Sequence, residues 1–194
     1  MSAFAALAIA MGSAGATAAE VTYDFSGSAP KWPASALTLP AEWDNVQHLD
    51  FTGSLTIDDS AEEQAILGFY ELAVLDFTLN VNGLEMAYHS PRDGVFRGGT
   101  HVYIDNSFIE VTATSTPPWL GTLGSGKQNG WMWLEYQSAD PDAFDPSRID
   151  MNLADIGPWH FHFGLFEPSV ELWSAESDVT RGASVASPWS TAPA

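Results

Sequence analysis

Apolar and polar residues alternate along much of this chain, with a period of two. In 49–57 (LDFTGSLTI), Leu49, Phe51, Leu55 and Ile57 alternate with Asp50, Thr52, Ser54 and Thr56. That spacing puts an apolar row on one side of an extended segment and a polar row on the other, the signature of a half-buried strand. Segment 74–81 (VLDFTLNV) repeats it, with Leu75, Phe77, Leu79 and Val81 opposite Asp76, Thr78 and Asn80. It runs into Asn82-Gly83, a pair that accepts the positive φ angles of a type I′ turn, and Leu84, Met86 and Tyr88 alternate back along the partner. Further strands are expected at 21–25, 94–97, 101–105, 108–114, 130–137, 148–153, 160–166 and 169–173. Helix has one candidate. Ser60-Ala61-Glu62-Glu63 has capping-box spacing ahead of Ala65, Ile66 and Leu67, which predicts a turn or two at most.

Many short strands divided by 12 prolines and 16 glycines predict an all-β fold, an antiparallel β-sandwich of jelly-roll-like form. The domain is expected over 19–183. Segment 115–130 (STPPWLGTLGSGKQNG) reads as a long loop, and 184–194 as a loose tail. Residues 1–18 carry no charge, an apolar stretch from Phe4 to Met11, and the small residues Ala16 and Ala18 at the spacing signal peptidase accepts. A Sec-type signal peptide is therefore expected, with the mature protein secreted or at the cell surface. No later segment approaches the ~18 apolar residues of a membrane-spanning helix.

Charge narrows the partners. Six Lys and Arg stand against 25 Asp and Glu, a formal net charge of −19, and the four arginines and two lysines are scattered singly. Such a field repels phosphate, so nucleic acid is not an expected partner. Cysteine is absent, which removes disulfides, thiol catalysis and Cys-bound zinc together. At 45% hydrophobic and 12% aromatic the chain is apolar enough to build a core despite its charge.

Gly53-Ser54-Leu55-Thr56-Ile57-Asp58-Asp59, followed by 74–83 (VLDFTLNVNG), resembles the front half of many bacterial exported β-rich proteins of the PEP-CTERM sorting group. The Pro-Glu-Pro, apolar span and basic cluster that close such proteins do not occur in these residues. The resemblance implies residence at the cell surface or in an exopolysaccharide matrix.

Candidate chemistry centres on 131–137 (WMWLEYQ). Period two puts Trp131, Trp133, Glu135 and Gln137 on one face and Met132, Leu134 and Tyr136 on the other. Aromatic rings beside a carboxylate and an amide suit sugar recognition, rings covering C–H faces and polar groups fixing hydroxyls. Trp119, after Pro117-Pro118, is a second candidate platform. Against this stands the ordinary alternative that the tryptophans are core.

In WHFHF, His160 and His162 point the same way, ~6.5–7 Å apart at Cα, and a metal there would draw a further ligand from His48, His89, His101, Glu135 or Glu171. Solvent-facing histidines are the simpler account. Asp140, Asp142 and Asp145 lie on one turn-rich segment whose oxygens would suit Ca²⁺, or merely water. Gly121 to Lys127 mimics a nucleotide-binding loop, but Gln128 replaces the hydroxyl residue that loop needs. For a two-carboxylate glycosidase, Glu135 is the first candidate and Glu110 or Glu171 the second.

The leading expectation is a non-catalytic, secreted, glycan-binding or matrix protein. The alternatives are an extracellular enzyme acting on polysaccharide, through paired carboxylates or a His-bound metal, and a structural surface subunit assembling through strand edges.

Overall fold

The computed structural model describes residues 20–30, 46–90, 100–115, 130–150, 152–165 and 170–182. The expected signal peptide, the expected strand at 94–97, the Gly-rich segment carrying Trp119 and the 184–194 tail lie outside them. The class is all-β and antiparallel, as the alternation predicts. The strands are β1 (Glu20–Pro30), β2 (His48–Asp58), β3 (Phe69–Tyr70), β4 (Val74–Val81), β5 (Leu84–His89), β6 (His101–Ile104), β7 (Phe108–Ser115), β8 (Gly130–Gln137), β9 (Trp159–Leu165) and β10 (Val170–Arg181). All ten belong to one sheet in the order β3-β6-β7-β8-β9-β10-β1-β2-β4-β5, so most strands pair with a sequence neighbour.

The two packed layers are halves of this one sheet. Phe161 on β9 and Phe51 on β2 are three strand spacings apart along the ladder, about 14 Å if the sheet were flat. Their rings nevertheless stack with centroids 5.0 Å apart, and Phe161 also stacks on Phe25 of β1 at 5.3 Å. The sheet therefore doubles back across β10 and β1, which brings β7 close to β4 and β5. The enclosed face is the apolar row of each strand: Tyr23 and Phe25, Phe51 and Leu55, Phe77 and Leu79, Ile109 and Val111, Met132 and Leu134, Trp159 and Phe161 are all buried. Trp159 closes one end, its indole N–H donating to the Leu153 and Ile156 carbonyls at 3.0 and 2.9 Å and so fixing a 3-10 turn over Leu153–Asp155.

Two local expectations are corrected, and one short strand is added. Residues 60–68 form turns, not helix. The Asp58 carboxylate accepts from both the Ser60 N–H and its hydroxyl, occupying the residue that would have capped the helix, and Glu63 instead accepts from the Gly68 N–H. Residues 148–150 are not a strand, because Arg148 N–H closes a turn on the Asp145 carbonyl and the Arg148 guanidinium forks onto Asp150. The two-residue β3, paired to β6, carries too short a pattern to announce itself.

The hairpin expected at Asn82-Gly83 forms as read, with φ of 46° and 88°. Asn82 secures it by accepting from the Asp50 N–H at 2.9 Å.

Candidate functional site

Strand β8 divides its side chains as its sequence requires. Met132 and Leu134 are buried in the core, and Tyr136 packs edge-on against Phe144. Trp131, Trp133, Glu135 and Gln137 take the outer face of the sheet, and the ladders set neighbours beside them. Thr112 of β7 and His162 of β9 flank Trp133, while Glu110 of β7 and His160 of β9 flank Glu135. One strand further, His101 and Tyr103 of β6 oppose Thr112 and Glu110.

The aromatic rings form a continuous row. Trp131 and Trp133 lie 4.9 Å apart between centroids, and His162 stacks on Trp133 at 4.7 Å with an interplanar angle of 28°. Trp131 is only 7% exposed. The rings thus cover one another, and the flat open platform expected for sugar stacking is not how this face is built. What the row does is hold carboxylates. Trp133 Nε1–H donates to Glu135 Oε2 at 2.9 Å, and His162 Nε2 lies 3.2 Å from Glu135 Oε1. Glu110 has a matching arrangement, with His101 Nε2 3.2 Å from Oε1 and the Thr112 hydroxyl donating to the same oxygen at 2.8 Å. His101 is braced by Phe69, whose ring centroid lies 4.6 Å away.

The His101 hydrogen bond holds the Glu110 carboxyl below its ordinary value of 4.5, against the opposing effect of burial, and the Thr112 hydroxyl adds to it. Glu110 is therefore an anion at neutral pH. Both carboxylate side chains remain about a quarter exposed, 25% for Glu110 and 27% for Glu135. Each retains oxygen lone pairs toward solvent, which makes the pair an acceptor site for hydroxyl or ammonium donors.

Other expected residues take different places. Gln137 is exposed, but its amide donates to the Ser107 carbonyl and hydroxyl at 3.0 and 3.1 Å, which ties β8 to the β6–β7 turn. His160 is exposed beside Glu135 in register. Asp140 and Asp145 shape their own loop: Asp140 accepts from the Asp142 N–H, and Asp145 from the N–H and hydroxyl of Ser147, which hold the Asp145 carboxyl below its usual range. Among the described residues no three His, Asp or Glu side chains are placed to hold a metal ion. Glu171 lies in β10 opposite Gly164 of β9, and Trp119 lies outside the described residues.

The pairing of His101 with Glu110, and the part played by Thr112, were not read from the sequence. Alternation in 108–115 puts Glu110 and Thr112 on one face, but only strand order brings them beside Glu135.

A depression of about 440 Å³ lies on the other half of the sheet, rimmed by polar side chains of β1, β2, β4, β5 and β10, among them Asp24, Ser54, Asn80 and Glu85. These rim groups are hydroxyl, amide and carboxylate, and Phe25, Gly53 and Leu79 also line it. The face of β6–β9 is the candidate because it gathers Trp131, Trp133, Glu110, Glu135, His101 and His162 side by side. No helix among the described residues is long and apolar enough to cross a membrane.

No family model, no curated protein and no solved structure matches the chain.

Proposed function

We propose that this protein is an exported, non-catalytic glycan-binding protein of the extracellular matrix or cell surface, and that it binds through the outer face of β6–β9. The observation that carries this reading is the pair Glu110 and Glu135, adjacent across one ladder, part-exposed, and backed by Trp131, Trp133, His101 and His162. Sugar hydroxyls are donors that a pair of carboxylates accepts well, and hydrogen bonds to a charged acceptor are the stronger kind. The tryptophans contribute rigidity and an apolar border rather than a stacking plane. Export rests on residues 1–18 and on the resemblance to exported β-rich proteins.

A glycosidase would use the same two carboxylates, since ~5 Å separates the pair in retaining enzymes and directly opposed side chains on a sheet stand ~4.5–5.5 Å apart at Cβ. Such an enzyme needs one of its two carboxyls to deliver a proton. Here His101 and Thr112 hold Glu110 as an anion, able to accept hydrogen bonds but not to serve as that acid, so binding is the reading we take forward.

The test is a titration of intrinsic tryptophan fluorescence with soluble neutral, amino and acidic polysaccharides. A saturable change is expected, because Trp133 is bonded to Glu135. Glu135→Gln should weaken binding about tenfold or more, the scale of one charge-assisted hydrogen bond. A flat response across the whole panel from folded protein would overturn the proposal.

A further inference from the structure

Glu110 and Glu135 are direct cross-strand partners on the outer face. Like charges in that position repel, and sheets ordinarily avoid them. Each carboxylate has a histidine nitrogen 3.2 Å away, His101 beside Glu110 and His162 beside Glu135, and each accepts a hydrogen bond, from Thr112 and Trp133 respectively. No lysine or arginine occurs in β6, β7, β8 or β9. A ligand that brings positive charge to the two carboxylates would relieve the repulsion. A ligand carrying carboxylate or sulfate would add a third negative charge to a chain already at −19. Trp131 and Trp133 border the pair, and the Trp133 indole N–H holds Glu135 in place by donating to Oε2.

We infer that the glycan recognised on this face is an amino sugar with a free, protonated amine, and that Glu110 and Glu135 together receive the ammonium group. This rests on the glycan-binding reading and narrows its ligand class. The pair acts as acceptor for the ammonium N–H donors, while hydroxyls of the same sugar ring bond the outer oxygen lone pairs. N-acetylation of the amine removes the charge and so removes the preference.

The experiment compares glucosamine oligomers with their fully N-acetylated counterparts and with neutral glucose oligomers, at a pH where the amines are protonated. Binding is read by fluorescence and by the NMR shift of the Trp133 indole N–H, which reports the site in the unmodified protein. The free-amine oligomers should bind at least about tenfold more tightly than the acetylated ones, and added salt should erode that margin. Glu110→Gln and Glu135→Gln should each shrink the preference, and the double variant should abolish it.

The double variant also separates the site from general attraction of a polycation to an acidic protein, because it removes only two of 25 acidic residues. A preference that survives in it, or arises without movement of the Trp133 signal, would overturn the inference. Equal binding of free-amine and acetylated oligomers would overturn it too, while leaving the glycan-binding reading intact. Binding of none of the oligomers or polysaccharides would remove both. Should the double variant fail to fold, the indole N–H signal and the two single variants still decide the matter.

Discussion

A carboxylate that accepts from a histidine and a threonine on one face of a sheet resists protonation, and Glu110 does so despite its burial. Its folded value lies below the ordinary 4.5 that the unfolded chain would show. The unfolded state therefore takes up the proton first as pH drops. The stabilisation is fully present above 4.5 and is lost as pH falls through the folded value. Thermal melts taken from neutral pH down to about 3 should thus show the wild type losing stability across this window, with a shallower decline for Glu110→Gln. Glutamine keeps an acceptor for the Thr112 hydroxyl, so the comparison isolates the charge. Parallel curves for the two proteins would assign the acid sensitivity to other carboxylates. The same residue is a tolerated conflict, since it faces Glu135 across the ladder, and this links its stability role to its proposed binding role.

At the scale of elements, two glycines separate backbone demands from packing demands. Gly83 sits at φ 88° in the β4–β5 turn, and a Cβ there would meet nothing within 4 Å. Gly83→Ala should cost about 1 kcal/mol, purely from the left-handed backbone. Gly53 lies in β2 with ordinary backbone, but its Cβ would overlap both the Phe25 ring and the Thr78 carbonyl. Since Thr78 belongs to the paired strand, the obstacle cannot swing aside, and Gly53→Ala should cost more, upward of about 2 kcal/mol. Urea midpoints would rank them, and the reverse order would mean that Phe25 repacks freely.

This contrast also marks what the sequence could disclose. Gly83 announces its role through Asn82-Gly83, whereas Gly53 has meaning only once β1, β2 and β4 are aligned. In the same way β4 matches its alternating pattern from Leu75 to Val81, while the turns at 60–68 and 148–150 are settled by side-chain hydrogen bonds that periodicity does not register, and β3 by its pairing to β6. The Trp131, Trp133 and Glu135 face was legible from period two alone. Its other half, Glu110 with His101, came from strand order, and the covering of one ring by the next came from side-chain packing that no single strand encodes.

Over the whole molecule, stability depends on a sheet that must fold back on itself, and the contacts enforcing this concentrate on Phe161. Its ring is fully buried and stacks on Phe25 and Phe51, with Phe77 edge-on at 6.4 Å. Those three partners lie on β1, β2 and β4, separated from β9 along the sheet by β10. Cross-strand ladders alone would leave an open, nearly flat sheet with an exposed apolar face, so the ring cluster supplies what hydrogen bonding along the sheet cannot. Phe161→Ala should cost about 3–5 kcal/mol, the range for a large ring lost from a close-packed core. Because both halves lose a partner at once, circular dichroism and tryptophan fluorescence should still report one shared transition, moved to lower denaturant. Two separated transitions would mean that the halves hold together by themselves and that the ring cluster only joins them. The proposed site would feel the first outcome directly: β9 carries Phe161 inward and His162 outward, so loosening one face of that strand loosens the histidine that supports Glu135.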